Sequence, residues 1–288
     1  MNAEERLAKF FAGHPRVAVA FSGGVDSSYL LYTAKSSNAE SQTATQNIIS
    51  SRKDEKSSSE KQGTVSQTSS EAANISVRAY YVKSQFQPQF ELDDAVRMAE
   101  ALDVPLSIET IDILACAQIA ENPPDRCYYC KKAILTKLWE LARADGYTVL
   151  CDGTNADDDE ADRHGTRALR ELEVLSPLRE CGLKKEAIRR LSKKAGLFTH
   201  DKPAYACLAT RIPAGTAITE QTLSKIERAE DVLLEMGFSD FRVRVIPPGA
   251  AKLQFPEAQW REAAAKREVI RRALQPDFDD IVLDTAVR

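Results

Sequence analysis

The chain of 288 residues is predicted to be an α/β protein, a parallel sheet with helices on both faces, followed by a small α+β unit. Three observations carry this. From residue 17 to about 195, short apolar runs alternate with helical stretches, the pattern of parallel strands joined by crossover helices. The clearest run, Val17-Ala18-Val19-Ala20-Phe21, passes through Ser22-Gly23-Gly24 into the amphipathic stretch Tyr29-Leu30-Leu31-Tyr32, so strand, tight turn and helix are consecutive. After Pro213 the order becomes helix, two strands with a short connection, helix and strand.

The elements follow in order. Residues 1–12 read as a lead-in helix, 17–21 as a buried strand and the residues after Val25 as a helix. From about Lys35 to Asn74 the pattern collapses: eleven of forty residues are Ser, none is aromatic, and apolar residues are too sparse to make a packed face. The expectation is a disordered low-complexity insertion (35–74) where a helix would return to the next strand. Strands are predicted at 76–82, 104–111 (interrupted early by Pro105) and 148–151, with helices at 91–102, 126–144 and 184–195. Beyond residue 213, helix 220–236, strands 241–246 and 252–255 around Pro247-Pro248-Gly249-Ala250, helix 256–274 and strand 278–283 complete the reading. The division is therefore 1–213 and 214–288. Ligands of parallel sheets bind at the carboxyl ends of the strands, which is where Ser22 begins.

Net charge is −4, from 39 basic and 43 acidic residues, which offers no whole-chain reason for nucleic-acid binding. No apolar run approaches the roughly 20 residues of a membrane span, and the acidic start Met1-Asn2-Ala3-Glu4-Glu5 lacks the order of a signal peptide. A cytoplasmic protein with no membrane partner is expected. In a reducing compartment the six cysteines (116, 127, 130, 151, 181, 207) are expected to be buried, metal-bound or reactive rather than disulfide-bonded.

Ser22-Gly23-Gly24-Val25-Asp26-Ser27-Ser28 reads as an anion site. Free backbone N–H groups and the helix dipole face the ligand, the glycines allow close approach, the serines add hydroxyls and Asp26 can hold Mg2+. The Walker lysine is missing. The segment resembles the PP-loop of the ATP pyrophosphatases (adenine nucleotide alpha hydrolase-like), which implies ATP bound by its pyrophosphate and adenylation of a substrate. The competing reading is an ordinary glycine-rich turn.

Cys127-Tyr128-Tyr129-Cys130 is a C-x-x-C pair at a helix start, where two sulfurs can reach one metal and thiol pKa is lowered. A structural zinc would need a second pair, and His164 and His200 are isolated. A dithiol redox couple is an alternative. With Cys207 as third thiolate the set could hold a [4Fe–4S] cluster with one iron open. Cys116, Cys151 and Cys181 show no ligand spacing, and Cys151 reads as a small hydrophobe in a strand.

Beside these, Pro124-Asp125-Arg126-Cys127-Tyr128-Tyr129-Cys130-Lys131-Lys132, Asp152-Gly153-Thr154-Asn155-Ala156-Asp157-Asp158, Leu175-Ser176-Pro177-Leu178, Cys207-Leu208-Ala209-Thr210-Arg211-Ile212-Pro213 and Arg242-Val243-Arg244 follow the PP-loop in that order. Over nearly its whole length apart from the insertion, the chain resembles the LarE sulfur transferases. The resemblance implies ATP-dependent adenylation of the carboxylates of pyridinium-3,5-dicarboxylate mononucleotide and their conversion to thiocarboxylates for a nickel-pincer cofactor. Its cofactors would be ATP, Mg2+ and a [4Fe–4S] cluster on Cys127, Cys130 and Cys207; the alternative within the family is Cys207 as a sacrificial sulfur donor. Lys131 would contact a phosphate or carboxylate, and Arg211 would lie near the active site beside Cys207 and join Arg242 and Arg244 at the substrate phosphate. Arg242 and Arg244 share a strand face by period two and suit the substrate phosphate, or form a solvated face. Asp159 or Glu160 could face the metal or be solvated. A homo-oligomer is expected. A PP-loop tRNA thiolase would need a basic surface or RNA-binding appendage, an ATP-dependent amidotransferase or synthetase would not need the cysteine set, and a nucleotide-sensing module would not turn over ATP.

Overall fold

A computed structural model describes residues 1–37, 77–158 and 163–286. The predicted insertion lies outside the described residues, except that 35–37 still belong to the helix after the PP-loop.

The centre is a four-stranded parallel sheet in the order β3-β2-β1-β4, built from β1 (Val17–Ala20), β2 (Val77–Lys83), β3 (Leu106–Thr110) and β4 (Leu150–Cys151). β1 is flanked on both edges, Val19 pairing with Ala79 on one side and Cys151 on the other. Its side chains alternate strictly. Val17 and Val19 join Ala79, Tyr81 and Cys151 in one apolar layer, whereas Ala18 joins Tyr80, Val82 and Leu150 in the opposite one. The first layer is closed by α1 (Ala3–Gly13), α2 (25–37), α3 (Gln89–Ala101) and α8 (Lys185–Lys194); the second by α5 (Arg126–Ala144) and α6 (Arg163–Glu171). A sheet covered on both faces requires apolar runs, which is why β1 reads so plainly. The chain steps outward from β1 to β2 and β3, then crosses back to place β4 on the other side of β1. The order reverses between β1 and β4, and the crevice beyond their carboxyl ends is the binding position of such sheets.

Sequence and structure differ in places with physical reasons. The helix expected over 256–274 is two, α10 (Glu257–Ala265) and α11 (Arg267–Leu274), because Lys266 leaves the helical conformation at φ −87°, ψ 6°. Short α4 (Ala117–Ala120) and α7 (Pro177–Glu180) were not expected. Nor was α6, whose first half, Arg163-His164-Gly165-Thr166, offers no apolar periodicity and whose buried apolar side chains, among the described residues, are Ala168 and Leu169.

The last part holds α9 (Glu220–Glu235) and a three-stranded sheet in the order β5-β6-β7, with β5 (Arg242–Ile246) antiparallel to β6 (Ala250–Gln254) and β6 parallel to β7 (Asp280–Leu283). Leu233, Phe241, Val243, Phe255 and Ile270 give this sheet a core of its own. A further apolar cluster joins it to the rest: Phe86, Ile119 and Leu208 pack with Leu223 and Ile226 of α9. Among the described residues no helix is long and apolar enough to cross a membrane.

Candidate functional site

β1 ends at Ala20, and the Phe21 N–H still reaches Tyr80 O at 2.9 Å before the chain turns. Gly23 makes the turn at φ 71°, a conformation L side chains rarely adopt. An added Cβ there would also lie 3.0 Å from the backbone of Ala95. The loop is closed by its own serines: Ser22 and Ser27 hydroxyls lie 3.1 Å apart, and Ser27 Oγ donates to Gly24 O at 3.2 Å. Val25 and Ser28 turn into the interior. Opposite, the loop after β4 comes so close that a Cβ on Gly153 would stand 2.9 Å from Ser27 N.

These two loops form one wall of a cavity of about 410 Å3. Ser22, Gly24, Asp26 and Ser27 line it, with Asp152 across, and the other wall carries Cys127, Cys130, Lys131 and Cys207. The phosphate-type loop and the three singled-out cysteines, up to 185 positions apart in sequence, thus face the same space.

Asp26 has two dissimilar oxygens. Oδ2 pairs with Lys185 Nζ at 2.5 Å, while Oδ1 is buried with no hydrogen-bond partner. Burial raises its pKa, and the Lys185 ammonium counteracts that. An unsatisfied buried carboxylate oxygen in a cavity wall is the kind of group a hard divalent cation coordinates, so the donor set fits Mg2+. Lys185 opens α8, its N–H held by Asp157 Oδ2 at 2.8 Å. It carries no motif, and the sequence offered no signal for it.

Lys131 Nζ lies 3.6 Å from Asp152 Oδ2. Asp152 anchors its own loop, accepting from Thr154 Oγ1 at 2.5 Å and Ser176 Oγ at 2.7 Å, which accounts for the Asp-Gly-Thr and Leu-Ser-Pro segments standing together.

Cys127 and Cys130 sit one turn apart at the start of α5, and Cys207 immediately precedes a 3₁₀ turn, Leu208–Arg211. Cys127 is exposed and the other two are half-buried. Burial, reinforced by Cys207, pushes the Cys130 thiol up to about 12, and burial raises Cys207 against the opposing charge of Arg126. Arg126, buried and not singled out by sequence, links the two segments: its guanidinium donates to Asn122 Oδ1 at 2.5 Å and Ala209 O at 3.2 Å, and Nη2 lies 3.8 Å from Cys127 Sγ. Cys151 and Cys181 are buried in the apolar layer under the sheet. Cys116 packs against the cluster that includes Leu208. Among the described residues no three His, Cys, Asp or Glu side chains converge as a site for a single metal ion.

Arg211, Arg242 and Arg244 are absent from that cavity's lining. Arg211 is fully buried, its Nε and Nη2 on the Glu230 carboxylate at 2.8 and 3.0 Å. Arg242 donates to Phe241 O and Ala204 O and lines a smaller cavity of about 160 Å3 with Tyr205 and Glu230. Arg244 donates to Thr210 O and Gln254 Oε1. All three stand behind the Cys207 turn. Asp159 and Glu160 lie outside the described residues.

No protein-family model matches the chain. An uncharacterized protein of Synechocystis is 31% identical over 261 residues, 90% of this chain and 83% of that protein. The pyridinium-3,5-bisthiocarboxylic acid mononucleotide synthase of Lactiplantibacillus plantarum is 28% identical over 270 residues, 93% and 85% of the two chains. An uncharacterized protein of Methanocaldococcus jannaschii is 31% identical over 207 residues, 72% and 79%. By these similarities the chain belongs to the LarE family of PP-loop sulfur transferases.

Proposed function

We propose that the protein is an ATP-dependent sulfur transferase that adenylates the carboxylates of pyridinium-3,5-dicarboxylate mononucleotide and converts them to thiocarboxylates. One observation carries the reading: the PP-loop and three cysteines line a single cavity of about 410 Å3. An acyl adenylate made at one wall then meets sulfur at the other without leaving.

A carboxylate is a poor acyl donor until its oxygen is made a leaving group. The N–H groups at the N-terminus of α2 hold the pyrophosphate of ATP. Asp26, through its unsatisfied Oδ1, would hold Mg2+, which when bound would offset the charge of the phosphates, and Lys185 keeps that carboxylate oriented. The substrate carboxylate attacks the α-phosphorus, pyrophosphate departs, and an acyl adenylate remains. Lys131 stands on the cavity wall to bind the adenylate phosphate or the second carboxylate. A sulfur nucleophile then adds to the acyl carbon and AMP leaves; a second round gives the bisthiocarboxylate.

Three thiols spread around a cavity wall, with no fourth protein ligand beside them among the described residues, suit a polynuclear iron–sulfur group better than one ion. Cys127, Cys130 and Cys207 would hold it, and when bound it would supply an iron site for exogenous sulfide. In this reading 1–213 carries the chemistry, 214–288 buttresses the Cys207 turn, the assembly is homo-oligomeric, and a reducing cytoplasm keeps the thiols available.

The test is the product of ATP turnover with this mononucleotide. Pyrophosphate and AMP are expected, and ADP with phosphate would overturn the assignment. Equal turnover with a tRNA acceptor would favour the thiolase reading instead.

A further inference from the structure

Residues 202–207, which lead into Cys207, form neither helix nor strand. Backbone carbonyls in such a segment have no ladder and must find partners elsewhere. Here they find arginines. Arg189 of α8 donates to His200 O and Lys202 O, both at 2.8 Å. Arg242 reaches Ala204 O at 2.8 Å, Arg211 reaches Ala206 O at 2.7 Å, Arg126 reaches Ala209 O at 3.2 Å and Arg244 reaches Thr210 O at 2.8 Å. Except for Arg211, which belongs to the turn itself, the donors come from α5, α8 and β5, so the segment is gripped from three directions.

The grip is itself buttressed. Glu230 of α9, 2% exposed, holds Arg211 through both oxygens and also accepts Tyr205 Oη at 2.5 Å and Val243 N at 3.0 Å. The Tyr205 ring lies 4.6 Å from the Arg211 guanidinium and 5.3 Å from that of Arg242. Guanidinium donors stay charged at any working pH and make the stronger class of hydrogen bond. A loop fixed in this way needs no ligand to define it.

We infer that Arg126, Arg189, Arg211, Arg242 and Arg244 are positioning residues that hold the Cys207 segment against the C-x-x-C helix before any ligand binds, and that Arg242 and Arg244 serve sulfuration through Cys207 rather than by binding the substrate phosphate. The inference rests on the reading of Cys207 as a reacting or ligating thiol.

Hydrogen exchange followed by mass spectrometry on the iron-free full chain tests it. The reporters are the amides of Leu208, Thr210 and Ile212, which donate to Phe86 O, Cys207 O and Ala209 O. In Arg244→Ala the peptide covering 202–212 should exchange at least about tenfold faster, with peptides over 22–28 unchanged and Arg244→Lys recovering part of the protection. Arg242→Ala should act alike; Arg244 is only half-buried, so its variants keep the test open should Arg242→Ala fail to fold. In turnover, Arg244→Ala should lower kcat for sulfuration while the mononucleotide KM and pyrophosphate release hold. Unchanged exchange in Arg244→Ala would overturn the inference, as would a raised mononucleotide KM with kcat intact, the signature of a phosphate ligand. The exchange measurement needs neither iron nor substrate. Faster exchange in a chain that sulfurates nothing would sink the functional reading and leave the positioning role standing, and unchanged exchange in an active enzyme would do the reverse.

Discussion

The two walls of the cavity are built by opposite strategies. Within the nucleotide wall the PP-loop is local. Seven consecutive residues make strand end, turn and helix start, and its defining hydrogen bonds join Ser22, Gly24 and Ser27 to one another. The thiol wall is assembled at long range. Cys127 and Cys207 are linked by Arg126, 83 residues from Ala209, and the Cys207 segment is held by Arg242 and Arg244, 38 and 34 residues from the carbonyls they reach. A local site survives changes elsewhere in the fold, whereas a long-range one transmits them. Substitutions within the PP-loop should therefore remove chemistry and spare stability, and those behind the second wall should cost both.

The largest effect is expected at the nucleotide wall. On the proposed role of Asp26 in holding Mg2+, Asp26→Ala should lower pyrophosphate release by about 10²–10³-fold, with the thermal midpoint nearly unchanged. A large loss of stability there would erase the contrast. Next is Gly153→Ala, whose new Cβ would collide with Ser27 backbone; since backbone cannot swing aside, ATP turnover should fall at least about tenfold, with a strain cost of about 1–3 kcal/mol in urea unfolding. Full activity would mean that the two loops are looser than their approach suggests.

Behind the thiol wall, Glu230→Gln strips the charge partner from the fully buried Arg211. Removing one member of a buried pair costs about 3–5 kcal/mol, to be read by denaturant unfolding, and iron binding should fall with it. A small loss confined to activity would make Glu230 a local residue like those of the PP-loop.

The smallest effect concerns pH. Burial pushes Glu91, close to Lys202 and Arg211, up to about 7. A carboxyl raised in the folded state is penalised as it ionises, so its cost is absent below the unfolded value near 4.5 and fully present above about 7. Glu91→Gln should therefore gain stability relative to wild type on going from pH 5 to pH 8, by about 1 kcal/mol or more. A pH-independent difference would mean that Glu91 ionises in the folded chain as it does in the unfolded one.

What the sequence revealed follows the same division. β1, the PP-loop and α2 were legible because a two-sided sheet demands an apolar run and a phosphate turn demands Ser-Gly-Gly at a helix start, all in contiguous residues. The C-x-x-C helix was legible for the same reason. Lys185, 159 positions from Asp26, was not, since a lysine at a helix start has many ordinary uses. Arg242 and Arg244 were placed correctly on one strand face by period two, but what that face meets, the carbonyls of 204 and 210, depends on tertiary packing that periodicity does not encode. The break at Lys266 escaped because, after Pro256, the stretch to Leu274 carries no Gly or Pro to announce it.

The most direct measurement is intact-protein mass spectrometry after anaerobic turnover with ATP, mononucleotide and isotopically labelled sulfide. The expected result is an unchanged chain mass, several labelled thiocarboxylates per chain, and loss of label but not of pyrophosphate release in Cys127→Ala, Cys130→Ala and Cys207→Ala. A chain lighter by the mass of one hydrogen sulfide at Cys207, with unlabelled product and an active iron-free Cys127→Ala, would contradict the three-thiol site.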